Sequence, residues 1–146
     1  MSSPKLLAFA AAVLFARPCL AEAPPLNSKT DARALTETVM QLVVADKISD
    51  AMDKLKAYWR LPPNEIDTLV LKTISLRNTI ADRYGRTLSY AFVREEDVGD
   101  YLVRYTYVER RENHPLRWTF IFYRATDRWW MDSASWDDKV SELFAP

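Results

Sequence analysis

From residue 31 to 84 the apolar side chains recur every three or four positions; beyond Gly85 they alternate with polar ones. A period near 3.6 is that of an amphipathic helix and a period of 2 that of a half-buried strand. The chain therefore reads as a helical half followed by a strand half. In the first half, "SKTD" at residues 28–31 pairs a side-chain acceptor with an acid three positions on, which is a helix-capping pattern. Leu35, Val39, Leu42 and Val43 follow at helical spacing. After a break near Asp46–Ser49 the spacing resumes with Ile48, Met52, Leu55 and Trp59. Pro62 and Pro63 end that region and can open the next helix, since proline is tolerated only in a helix's first turn. Ile66, Leu69, Val70, Thr73, Ile74 and Ile80 mark a second long amphipathic helix, and Gly85 stands where a left-handed stop is expected.

The alternating half predicts strands near 87–94, 101–109, 116–124 and 129–136. Their linkers are short, so they should form an antiparallel meander, and helices followed by strands give an α+β domain. A short helix or turn at the end should tuck Val140, Leu143 and Phe144 back onto the core. The inward rows are expected to be Leu88, Tyr90 and Phe92; Tyr101, Val103, Tyr105 and Tyr107; and Leu116, Trp118, Phe120 and Phe122. The fourth strand offers two rival rows. A two- or four-residue loop centred on Thr126–Asp127 sets Phe122 opposite Met131 and Phe120 opposite Ser133, with Trp129, Met131, Ser133 and Ser135 inward. An odd loop would bury Asp132 among aromatic rings, which costs several kcal/mol or leaves the acid protonated, so the even loop is expected. Arg104, Thr106, Arg117, Thr119, Ile121, Tyr123, Trp130, Asp132 and Trp136 then line the outer face.

The N-terminus alters how the composition is read. Lys5, an apolar run over residues 6–15 and the small residues of "CLAEA" predict a signal peptide cleaved after Ala21, too short in its apolar part to span a bilayer. The domain organisation expected is a leader at 1–21, a flexible lead-in at 22–29 and one α+β domain at 30–146. The protein is then periplasmic or secreted, with no membrane span after cleavage. Removing residues 1–21 takes Lys5 and Arg17 from 20 bases and none of the 20 acids, leaving a net charge of −2. That balance gives no footing for nucleic acid, which demands a basic surface. The one cysteine, Cys19, leaves with the leader, and one histidine, His114, remains. A His/Cys metal cluster, a disulfide and a thiol nucleophile are thereby excluded. Two glycines, Gly85 and Gly99, cannot build a phosphate-binding loop.

The string "FYRATDRWWMDSASWDD", after two helical regions and a four-stranded meander, resembles the nuclear-transport-factor-2-like (cystatin-like) superfamily. "DRYGRTLSYAFV", "VGDYLVRYTYV", "HPLRWTFIFYR" and "SWDDKVSELF" more narrowly resemble small exported bacterial proteins of unknown function. The resemblance implies N-terminal helices packed on a curved four-stranded antiparallel sheet. Enzymes of that group often place an Asp with a Tyr or His between sheet and helices. Here Tyr90, Tyr105, Tyr107 and Trp118 would line such a space, but the expected inward rows hold no acid or base for proton transfer. His114, just before Pro115, is expected to be an exposed loop residue. The reading is a small exported binding or interaction module with no catalytic residue, cofactor or metal, taking a protein partner or an apolar small molecule. Ile121, Tyr123, Trp130 and Trp136, rimmed by Arg104 and Arg117, would form its contact face and support a homodimer or an envelope protein partner. The alternatives are a cavity hydrolase, isomerase or dehydratase using Asp132 or His114 with a tyrosine, and a structural envelope component.

Overall fold

The computed structural model describes residues 22–144; the expected leader and cleavage site lie outside the described residues. Three helices, α1 (Lys29–Val44), α2 (Ile48–Lys56) and α3 (Pro63–Tyr84), precede four strands, β1 (Thr87–Val98), β2 (Leu102–Arg111), β3 (Leu116–Arg124) and β4 (Trp129–Asp137). The strands form one antiparallel sheet in the order β1-β2-β3-β4, and a single-turn helix, Val140–Leu143, closes the described chain. The α+β arrangement with a meander is thus observed.

Each helix boundary has a local cause. The Ser28 hydroxyl accepts the Asp31 N–H at 3.1 Å while the Asp31 carboxylate accepts the Ser28 N–H at 2.9 Å, a complete capping box. At the other end Asp46 adopts φ 58°, a conformation Asp tolerates better than most residues, and Lys47 donates its N–H back to the Leu42 carbonyl at 2.9 Å. This stop puts the break where the spacing predicted it. Pro63 opens α3. Gly85 ends it with φ 76° and ψ −166°, a region essentially closed to other residues. A Cβ there would also lie 2.8 Å from the Glu112 Cβ and 2.5 Å from its Oε2. Gly85→Ala is therefore expected to lose about 1–3 kcal/mol of stability, read as a lower urea midpoint at unchanged m-value.

The core lies between α1, α2 and one face of the sheet. Ala32, Leu35, Val39, Met40 and Val43 of α1 meet Val103, Tyr105 and Tyr107 of β2 and Trp118, Phe120 and Phe122 of β3. Residues 22–29, expected to be a flexible lead-in, are docked in part: Leu26 is buried and its carbonyl accepts the Trp129 N–H at 2.9 Å.

Three β-bulges curve the sheet, and the first and third correct an expectation. Leu88 is skipped between the pairs Thr87↔Arg111 and Ser89↔Arg110, which leaves it half exposed rather than inward. Val93 is skipped between Phe92↔Tyr107 and Arg94↔Thr106, so Arg94 and Glu96 turn to the outer face. The third concerns β4. The loop Ala125–Arg128 has four residues and Phe122 faces Met131, as the even loop requires. The bulge at Asp132 then shifts the register, so that Phe120 faces Ala134 instead of Ser133 and Trp118 faces Trp136. Trp136, expected outside, is consequently on the core side, its ring stacked on Trp118 at 6.1 Å. Ser133 and Ser135 take the outer face in its place. Two smaller expectations also fall. Tyr101 sits in the β1–β2 turn and is exposed, and Phe144 is 87 % exposed. The closing turn packs against β3 on the outer face instead of returning to the core, held there by Arg94 donating to the Leu143 carbonyl at 2.8 Å.

Candidate functional site

The expected tyrosine pocket is filled. Tyr105, Tyr107 and Trp118 are wholly buried in the core and Tyr90 packs against it. Every hydroxyl has a partner. Tyr105 donates to the Lys29 carbonyl at 2.7 Å, Tyr107 shares a 2.7 Å hydrogen bond with Thr36, and Tyr90 donates to Glu37 at 2.9 Å. Burial pushes the Tyr107 hydroxyl up to about 12 and the Tyr105 hydroxyl higher still. Side chains so placed are core residues whose hydroxyls stitch α1 to the sheet.

One position further along the same row stands a group the sequence reading passed over. Glu109 pairs with Leu116 across β2 and β3, shares the inward face with Tyr107 and is 0 % exposed. The expectation that the inward rows carry no acid or base is thus wrong at this residue. The carboxylate accepts from both Nη atoms of Arg77 at 2.9 and 3.0 Å, Arg111 Nη1 at 2.8 Å, the Thr87 hydroxyl at 2.6 Å and Trp118 Nε1 at 2.7 Å. Arg77 and Arg111 are themselves buried. Burial alone would raise the Glu109 pKa. The hydrogen bonds and charge of Arg77, with those of Thr87 and Trp118, outweigh it and hold the carboxyl below its ordinary range. An acid this fully engaged has no free lone pair for proton transfer. What it does is fasten the middle of α3 to the sheet, since Arg77 is the one buried residue of α3 between Ile66 and Tyr84.

The far end of α3 has its own fastening. Tyr84 donates its hydroxyl to Asp138 at 2.7 Å, and His114 packs at a tilt against the Tyr84 ring, centroids 4.7 Å apart, with Nε2 3.3 Å from the Asp138 carbonyl. His114 is thus half-buried, not an exposed loop residue, and the tyrosine it meets is Tyr84. Asp132 is elsewhere, exposed at the bulge, where its carbonyl accepts Trp59 Nε1 at 3.1 Å.

The proposed contact face is divided. Ile121, Tyr123 and Trp130 do lie on the outer side, with the Arg60 guanidinium 4.1 Å over the Trp130 ring. Arg104 is clamped to Glu96 by two 2.8 Å bonds, and Arg117 binds Asp137 at 2.7 and 3.1 Å and Glu142 at 2.5 Å. With Trp136 turned inward and the closing turn covering part of β3, this surface is a lattice of ion pairs flanked by three apolar residues.

Between α3 and the second half of β4 a groove of about 440 Å³ stays open. Leu69, Leu76 and Ile80 form one wall, and Ala134 and Trp136 form the floor, with Lys72 and Asp138 among its polar members. Leu69 is 43 % and Leu76 46 % exposed, although both sit on the side of α3 that faces the sheet. Its volume is that of a ligand cleft. The missed signal in the sequence was Arg77, a charged residue on the apolar face of a helix. A cation there must find a buried acid, and that acid sets how far α3 stands from the strands. No protein-family model, curated protein or solved structure matches this chain. Among the described residues no helix is long and apolar enough to cross a membrane, and no cluster of three or more His, Cys, Asp or Glu could hold a metal ion.

Proposed function

We propose that this chain is a small exported binding module of the nuclear-transport-factor-2-like class, and that it engages its ligand through the groove between α3 and β4. The supporting observation is the half-exposure of Leu69 and Leu76 opposite Trp136 in a cleft of ligand size. Apolar side chains on the sheet-facing side of a helix ordinarily close on the sheet. Here Arg77–Glu109 and Tyr84–Asp138 fasten the second half of the helix, while Leu69 and Leu76, both before Arg77, line a surface left unfilled. Leu71, which points away, is exposed as an ordinary surface leucine and needs no such account.

The test uses Nile red, a neutral dye whose emission rises in apolar surroundings. Saturable micromolar binding is expected, weakened at least about tenfold by Leu76→Glu, a loss worth roughly 1.4 kcal/mol. Leu76 is partly solvated, so the variant should keep its urea midpoint. Binding that is absent in the wild type, or unchanged in the variant, would refute the groove as the site.

A further inference from the structure

We infer that the occupant of this groove is a single extended peptide segment from another protein, added antiparallel to the free edge of β4 at residues 133–137. The inference rests on the groove being the binding site. Its starting point is the uneven state of the β4 edge. The first half is closed by the chain itself: Trp129 donates to the Leu26 carbonyl and Met131 to the Tyr58 carbonyl, each at 2.9 Å, and Trp59 bridges Met131 in parallel fashion. Beyond the Asp132 bulge this added layer stops. Among the described residues no backbone hydrogen bond reaches residues 133–137 other than those of the β3–β4 ladder. An open strand edge is a template for another strand, and this one continues a line of pairing the protein has already begun.

The walls specify what such a strand would carry. Side chains turned to the α3 side would meet Ala134, Trp136, Leu69, Leu76 and Ile80; those turned the other way would lie beside Ser133 and Ser135. The fitting sequence alternates apolar with small polar residues. Charge fixes the end residues of such an antiparallel strand. Tyr84 ties the C-terminal end of α3 to Asp138, so β4 and α3 run the same way, and Lys72 stands 12 residues before Tyr84 on the helix. Neither Lys72 nor Asp138 has a salt-bridge partner among the described residues. An antiparallel strand enters beside Asp138 and leaves toward Lys72, which places a basic residue first and an acidic one last. A second copy of this chain fits less well, because its own α3 runs beside its own β4 edge and would meet this helix.

The probes are synthetic seven-residue peptides, capped at both ends, with lysine first, glutamate last and valine, isoleucine, phenylalanine or tyrosine alternating with threonine between. Members of the panel should bind the folded chain, displace Nile red and slow amide hydrogen exchange within residues 133–137. N-methylation of the amides on one edge of the peptide should weaken binding at least tenfold, and exchanging the terminal lysine and glutamate should weaken it severalfold. If Nile red binds but no peptide does, or if the N-methylated peptide binds equally well, the strand-addition inference is wrong while the groove stands. Failure of the dye and the peptides together removes both. A concentration-dependent dimer that protects residues 133–137 without any peptide would show that a second copy takes the edge, and would overturn the inference.

Discussion

Replacing Glu109 with alanine is expected to cost about 3–5 kcal/mol of folding stability, the range seen when one member of a buried ion pair is removed and its partners stay behind. Two buried guanidiniums, Arg77 and Arg111, would lose their shared carboxylate, and Trp118 Nε1 and the Thr87 hydroxyl would lose the acceptor they donate to. In a domain whose total stability is of order 5–15 kcal/mol this is a large fraction. Urea unfolding measures it directly. A triple replacement with Arg77→Met, Glu109→Leu and Arg111→Met should recover most of the loss, since apolar residues of similar volume remove the stranded charges along with the pair. The same carboxyl governs acid behaviour. Its folded pKa lies below the unfolded value of about 4.3, so its contribution is complete above that value and is lost as pH falls through the folded pKa. Stability of the wild type should therefore fall more steeply than that of the triple variant below about pH 4. A Glu109→Ala protein within about 1 kcal/mol of wild type would show that the network does not fasten α3.

This network also marks the limit of what the sequence made legible. Helix starts and stops were readable at Ser28, Asp46, Pro63 and Gly85 because capping, left-handed turns and proline act within a few residues. The meander and the Phe122–Met131 pairing were readable for the same reason: a four-residue loop is a local constraint. Glu109 was not, because alternation alone placed it inward and its charge argued against that. Its burial is made tolerable by Arg111 two residues on and by Arg77, 32 residues away on another element. Periodicity ranks single residues by hydrophobicity, and a buried ion pair is a property of two. The groove escaped for a related reason. Leu69 and Leu76 have the spacing of core residues, and periodicity does not say how closely a helix flank approaches the edge of a sheet.

Deleting Asp132 is expected to leave the faces of β4 as they are. Its side chain is exposed and makes no side-chain hydrogen bond, so Asp132→Ala should stay within about 0.5 kcal/mol of wild type. What the residue supplies is one extra unit of backbone, bulged out between Met131 and Ser133. Counted in a plain alternation from Met131 it would turn Ser133 and Ser135 inward and Trp136 outward; the bulge cancels that step, and Ala134 and Trp136 face the core. Without it Ser133 follows Met131 directly, the plain alternation gives the same faces, and every later pair of the β3–β4 ladder keeps its partner. What the deletion removes is the carbonyl that accepts Trp59 Nε1, a bond worth about 0.5–1.5 kcal/mol, together with local curvature of the strand. Urea unfolding should register that loss. Near-ultraviolet circular dichroism should keep the signal of the paired indole rings, and Nile red should still bind, since the floor of the groove is built from Ala134 and Trp136. A deletion variant that loses both the indole signal and the dye would mean that the curvature imparted by the bulge, more than the alternation after it, seats Trp136 on Trp118.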